Sequence, residues 1–155
     1  MTVIEVGDKA PDFALKDQHG ETVSLAGFRG DKAVLLVFYP WSFTRTCTGE
    51  MCEIRDALPD LVGEGAQVLA VSCDAMPTQR VYADQEGLTF PVLSDFWPHG
   101  EVATAYGVFD AERGTARRGT FAIDRDGVVR WRVVTGLREP RTVSDYRAVL
   151  RQLSA

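Results

Sequence analysis

The chain has 155 residues, 45% of them hydrophobic and 25% charged, with a formal net charge of −5. That length buries a sizeable core as one domain, residues 1–155, and the composition is that of an ordinary globular protein, which excludes intrinsic disorder, coiled coil and collagen. The acidic balance repels phosphate backbones and anionic lipid, which argues against a nucleic-acid binder.

In chain order, Asp12 to Leu25 holds two short runs around a Gln18-His19-Gly20 turn, the pattern of a β-hairpin. Ala33 to Tyr39 is continuous and apolar, as expected of a central strand buried on both faces, and it stops at Pro40. From Cys47 the apolar positions Met51, Ile54, Leu58 and Leu61 fall on one helical stripe, and Pro59 is expected to kink or end that helix. A second apolar strand spans Gln67 to Ser72, followed by a helix around Thr78 to Glu86 and an extended piece from Phe90 to Leu93. Gly119 to Asp124 and Val128 to Val134, joined by Arg125-Asp126-Gly127, read as an antiparallel hairpin, and Thr142 to Leu153 as a closing amphipathic helix. Strands alternating with helices give an α/β protein. The mixed central sheet, flanked by helices and preceded by an N-terminal β-hairpin, has the strand pattern of a thioredoxin-like fold.

Residues Met1 to Phe13 carry neither the basic nor the apolar region of a secretory signal. The longest apolar run is far below the ~18 residues a membrane span needs. A soluble, cytoplasmic protein without a membrane partner is expected. Three cysteines make an odd number, which suits a reducing compartment and turns attention to thiol reactivity. Cys47 follows a buried strand and a short loop and begins a helix, so its sulfur lies at the carboxyl edge of the sheet, where sites in open α/β sheets gather. Unpaired N–H groups and the helix dipole there favour a thiolate. The bland alternative is a small buried hydrophobe.

Pro40-Trp41-Ser42-Phe43-Thr44-Arg45-Thr46-Cys47 spaces a proline, a threonine and a cysteine in a way that resembles the active-site signature of peroxiredoxins. Ala10-Pro11-Asp12-Phe13, Leu35 to Pro40 and Arg118-Gly119-Thr120-Phe121 resemble further landmarks of that family, and Leu93 to Gly100 with Tyr106 to Phe109 resemble its AhpE-type class. The resemblance implies a thiol-dependent peroxidase that reduces hydrogen peroxide, organic hydroperoxides or peroxynitrite, with Cys47 as nucleophile and with no metal, haem or flavin cofactor. Full ionisation of a thiol gains only about tenfold near neutrality. Enzymes deliver ~10⁶-fold or more, so donors aimed at the peroxide oxygens must supply most of the effect. The candidate donors are the Cys47 backbone N–H, the Thr44 hydroxyl and, by resemblance, the Arg118 guanidinium, while Pro40 would wall the sulfur from water. Their bland alternatives are a strand terminator for Pro40, an N-cap for Thr44 and a solvated charge for Arg118; Arg45 and Arg117 read as solvated. Glu50, placed in the first helical turn, is stabilised there by the helix dipole and could also orient Arg118.

Cys52 lies five residues after Cys47, ~7.5 Å along a helix, beyond the ~7 Å Cα separation that a disulfide tolerates. Q-type, or bacterioferritin-comigratory, peroxiredoxins resemble this spacing, with a resolving cysteine that attacks after local unwinding. The resemblance therefore implies a Cys47–Cys52 disulfide reduced by a thioredoxin-like partner. A one-cysteine cycle recycled by a glutaredoxin-like protein or a low-molecular-weight thiol is the alternative, with Cys52 then a half-buried helix residue. Cys73 is read as structural. No Cys-x-x-Cys or paired histidines point to zinc or to a disulfide oxidoreductase, and a redox-sensing or holdase protein on the same scaffold is the rival of a different class. Trp97 and His99 read as packing or turn residues, with a place at the peroxide entrance or a subunit contact as the alternative. The family implies a homodimer built on active-site loops, with Trp41 and Phe43 as exposed anchors. The assignment requires that the Cys47 sulfur not be sealed in the apolar interior and that Thr44 and Arg118 turn toward it.

Overall fold

The computed structural model describes residues 2–154. Strands β1 (Ala14–Lys16) and β2 (Thr22–Ser24) form the expected N-terminal hairpin. Its turn is tied by Asp17 Oδ1, which accepts from the backbone N–H of His19 and Glu21. After a 3₁₀ turn at Ala26–Phe28 come β3 (Ala33–Phe38), α1 (Arg45–Gly63), β4 (Ala66–Ser72), α2 (Met76–Glu86) and β5 (Val92–Ser94). Helix α3 (Glu101–Ala105), a small ribbon of β6 (Phe109–Asp110) with β7 (Thr115–Ala116), the hairpin β8 (Arg118–Ile123) and β9 (Val129–Thr135), and α4 (Val143–Ser154) complete the order.

Seven strands form one sheet in the order β2-β1-β5-β4-β3-β8-β9. Strands β3, β4 and β5 run parallel, and β8, β9 and β1 pair antiparallel to their neighbours, so the sheet is mixed as expected. Strand β3 has partners on both sides and every one of its residues is buried, which is why its sequence shows no polar alternation. Its side chains nevertheless sort by the two-residue strand period. Leu35 and Val37, with Tyr39 beyond the strand, pack with Met51, Ile54 and Leu61 of α1 and Tyr146 and Leu150 of α4. Val34, Leu36 and Phe38 face Phe13, Tyr106, Val108 and Phe121 on the other side. The sheet thus divides two apolar layers, and Cys47 belongs to the first and Cys73 to the second.

Three sequence expectations shift. Pro59 does not end α1, which continues to Gly63; the residue is exposed, so the carbonyl that loses its partner can turn to water. Strand β5 begins at Val92 rather than Phe90, because Pro91 brings no N–H to a ladder. Helix α3 and the β6–β7 ribbon are too short to leave a periodic signal.

Burial pushes the Cys73 thiol up to about 12, with the charges of Asp95 and Asp74 adding and the Ala116 backbone N–H opposing. Cys73 is therefore a protonated core residue. Iodoacetamide at about pH 8 is expected to spare Cys73 in the native protein and to modify it once the chain is unfolded, as read by peptide mass. Rapid native modification would contradict its placement.

Candidate active site

The loop from Tyr39 to Thr44 carries the chain from the end of β3 into α1, and Tyr39 N–H still donates to Val71 O at 2.9 Å. Thr44 holds the N-cap position with extended backbone (φ −90, ψ 154), and Cys47 is the third helical residue. Sequence reasoning placed Thr44 correctly, but its hydroxyl caps no helical N–H. It donates instead to Trp41 O at 2.9 Å, so the only proton it has is already used. Thr44 can therefore accept a hydrogen bond from a peroxide O–H, and the expectation that it donates is corrected. Pro40 is buried.

Cys47 is 0% exposed, packed in the layer of Leu35, Val37, Tyr39 and Met51. The requirement of an unsealed sulfur is not met in its plain form, since solvent does not reach it. Its surroundings are not purely apolar, however, because Arg141 and Tyr82 both lie within electrostatic reach of it. Tyr82, on α2, also donates its hydroxyl to Thr48 Oγ1 at 3.1 Å and so braces the same helical turn.

The polar centre of this turn is Glu50. Its Oε1 accepts from Arg118 Nη1 at 2.6 Å and from Arg141 Nη2 at 2.9 Å. Its Oε2 accepts from Arg141 Nε at 2.8 Å and from the Arg141 backbone N–H at 2.7 Å. Arg141 Nη1 donates onward to Phe38 O at 2.7 Å and Thr120 Oγ1 at 3.1 Å, and Arg118 Nε to Leu137 O at 2.7 Å. The two guanidinium groups and the carboxylate are each at most 4% exposed. One carboxylate thus serves two buried cations, leaving a unit of positive charge beside the turn that carries Cys47.

Burial opposes the Glu50 charge, but the hydrogen bonds and charge of Arg141, with the charge of Arg118, outweigh it and hold the carboxyl below its ordinary value. Burial likewise opposes the Arg141 charge, and the Glu50 contact with the charges of Tyr146, Glu50 and Cys47 outweighs it, raising its pKa.

Sequence reasoning found Arg118 and the orienting role of Glu50. It placed Glu50 one turn too early, since α1 starts at Arg45 and Glu50 falls in the second turn. Arg118 donates from Nη1 to Glu50 and from Nε to Leu137 O, which fixes the guanidinium beside the turn that carries Cys47. Arg45 and Arg117 are exposed, as expected. Arg141 was missed. One signal was available: Arg141 lies two residues before α4, at a helix start where the dipole disfavours a cation, so an arginine there asks for a dedicated anion.

Cys52 is half-buried on the intact α1, and all three cysteines are free thiols. Burial pushes the Cys52 thiol up, Arg55 opposes this, and Glu86 and Asp56 add to it. Gly49 between the two cysteines has open space where a Cβ would stand. A cavity of about 380 Å³ opens over the same turn, lined by Thr46, Gly49 and Glu50 with Arg138 and Pro140. Trp41 is half-buried rather than exposed, whereas Phe43 is 48% exposed. Trp97 stands 81% exposed, and His99 bonds the carbonyls of Phe96 and Gly114, which is turn chemistry. Among the described residues no three His, Cys, Asp or Glu side chains converge as metal ligands, and no helix is long and apolar enough to cross a membrane.

A profile described as the AhpC/TSA family matches residues 6–132. Alkyl hydroperoxide reductase E of Mycobacterium tuberculosis is 46% identical over 153 residues, covering 99% of this chain and 98% of that protein. Peroxiredoxin Bcp of Bacillus subtilis is 34% identical, covering 84% and 87% of the two chains. The crystal structure of peroxidoxin BcpB from Mycobacterium tuberculosis superposes with a TM-score of 0.86 at 30% identity, covering 97% of this chain and 98% of that one.

A lowered carboxyl stabilises the fold above its unfolded value of about 4.3 and ceases to do so as the pH falls through its folded value. Glu50→Gln leaves two buried cations without an anion and is expected to cost about 3–5 kcal/mol near neutrality. Its thermal midpoint is expected to converge on that of the unsubstituted protein only as the pH falls through the lowered folded value of Glu50, below the ordinary carboxylate range. A gap independent of pH would contradict the role of Glu50 as an ionised hub.

Proposed function

We propose, on the premise that the chain belongs to the AhpC/TSA family and is a thiol-dependent peroxidase, that Cys47 is the residue its peroxide oxidises. The observation that carries this reading is the pair of buried arginines sharing Glu50, whose uncompensated positive charge complements an anionic sulfur on the preceding turn. The thiolate attacks the nearer oxygen of the peroxide in line with the O–O bond. An S–O bond forms, the O–O bond breaks, and the leaving oxygen takes a proton to depart as water or alcohol, or leaves as nitrite from peroxynitrite, with sulfenic acid left on Cys47. The Cys47 N–H at the helix start and the Arg118–Arg141 field stabilise the charge that moves onto the oxygens, Thr44 accepts from the peroxide O–H, and buried Pro40 keeps bulk water away.

The substrate classes are hydrogen peroxide, organic hydroperoxides and peroxynitrite, and the name of the 46% identical relative, alkyl hydroperoxide reductase E, favours the organic class. Because Cys47 is closed off, the helix start must open before a reducing thiol can reach the sulfur. That opening also serves Cys52: its thiol attacks the sulfenic sulfur, a disulfide forms and water leaves, and a thioredoxin-like partner restores both thiols. Gly49 within the segment lowers the cost of unwinding. The intact helix between the two cysteines favours a second reading, in which a glutaredoxin-like protein or a low-molecular-weight thiol reduces the sulfenic acid directly. The free thiols fit a cytoplasmic location, and exposed Phe43 is the remaining aromatic anchor for a loop-packed homodimer.

After one equivalent of peroxide without reductant, digestion and mass measurement are expected to give a Cys47–Cys52 crosslink; sulfenic or sulfinic Cys47 with reduced Cys52 would establish the external route instead. Gly49→Ala, which the open space admits, should slow the crosslink about fivefold by stiffening the helix, with the reduced fold unchanged. Light scattering is expected to give the mass of two chains, and a monomer at all concentrations would remove the dimer.

A further inference from the structure

Cys47 lies between two fastenings. On its carboxyl side Glu50 is bound to β8 and the β9–α4 connection by the buried arginines. On its amino side the loop is fastened by Asp74, at the end of β4. Asp74 Oδ2 accepts from Ser42 N–H at 2.9 Å, from Ser42 Oγ at 2.8 Å and from Ser72 Oγ at 2.7 Å. The Ser42 proton being given to Asp74, Tyr39 Oη donates to Ser42 Oγ across 3.0 Å. Asp74 is itself held, since its carbonyl accepts from Ser94 Oγ at 2.7 Å and Gln79 Nε2 bonds both Ser72 Oγ and Leu93 O. The carboxylate is therefore an extension of the sheet edge that grips the loop.

The next residue shows that the grip works against strain. Phe43 has φ +68, a left-handed conformation costly for a residue with a side chain, and its ring rests edge-on against Tyr82 at 5.0 Å. Such a conformation persists only where its surroundings over-determine it. The Glu50 hub is buried throughout; in the Asp74 clamp Ser42, Ser72 and Tyr39 are buried and Asp74 itself is half-buried, so the carboxylate is the part of the clamp that water can reach.

We propose that Asp74, acting through Ser42, is a positioning residue that sets how often the start of α1 opens, and so divides oxidised Cys47 between its two fates. In the open state the Cys52 thiol attacks the sulfenic sulfur, forming the disulfide and releasing water. In the closed state a second peroxide molecule transfers an oxygen to the sulfenic acid, giving sulfinic acid and water or alcohol. The proposal rests on the reading of Cys47 and Cys52 as attacking and resolving thiols.

The test measures Cys47 oxidation by stopped-flow fluorescence of Trp41 in the same loop, and the disulfide-to-sulfinic ratio by mass across a peroxide series. Asp74→Ala shifts a minor open state upward without making it the major one, so crosslinking is expected to rise about tenfold and the sulfinic share to fall in proportion, while the first oxidation changes by less than about twofold. Ser42→Ala, which keeps the backbone donor, should move the ratio in the same direction by a smaller factor and carries the test if Asp74→Ala does not fold. Asp74→Asn retains an acceptor oxygen and should return the ratio to within about threefold of the unsubstituted protein. An unchanged ratio in the folded variants, or oxidation and crosslinking falling together, overturns the proposal. If the unsubstituted protein forms no Cys47–Cys52 bond, the underlying reading fails and the proposal with it.

Discussion

Two buried guanidinium groups on one carboxylate are the arrangement on which the rest of the site depends. Glu50 reaches from the second turn of α1 to Arg118 at the start of β8 and to Arg141 just before α4, so three segments far apart in sequence meet at one ion cluster. A buried ion pair is weak evidence of stability, because desolvation of each charge offsets the attraction. This cluster is not even balanced, and its value lies in the imbalance. Every guanidinium nitrogen of Arg141 donates, to Glu50, Phe38 O or Thr120, which fixes the cation in place. The surplus positive field then falls on the adjacent turn, where the sulfur stands, and needs no rearrangement when negative charge moves onto a peroxide.

The same packing closes the sulfur off. Leu35 and Val37, the strand residues that point into the α1–α4 layer, pack in the same layer as Cys47 together with Tyr39. A closed site strengthens the field, and it obliges the protein to open before a resolving or reducing thiol can reach the sulfur. The two sides of Cys47 are held by different groups, the buried Glu50 hub on one and the Asp74 clamp on the other, and the proposed opening lies at the loop. Field, closure and opening are thus consequences of where one short helical turn is pinned.

Much of this was legible in the sequence, for identifiable reasons. Ala33 to Tyr39 announced a central strand because burial on both faces removes every polar residue, and the helical stripe from Cys47 survived Pro59 because that residue sits on the exposed side. The loop was legible because Pro40, Thr44 and Cys47 stand at fixed spacing in a contiguous stretch. Contacts between distant segments were not. Arg141 sits among several arginines near the end of the chain, and only the fold singles it out. The direction of the Thr44 hydroxyl depends on where Trp41 O comes to lie, and the Asp74 grip on Ser42 joins residues 32 positions apart. Local pattern fixes elements, whereas the partner of a polar side chain is decided by topology.

The central claim is that the arginine pair acts on the sulfur and does not merely hold the fold together. The most direct measurement is the second-order rate of Cys47 oxidation in a folded Arg141→Met protein, in which Glu50 and Arg118 remain as a neutral pair. With the surplus charge removed, the rate is expected to fall by about 10²-fold. A rate equal to that of the unsubstituted protein, with the fold intact, would contradict the account.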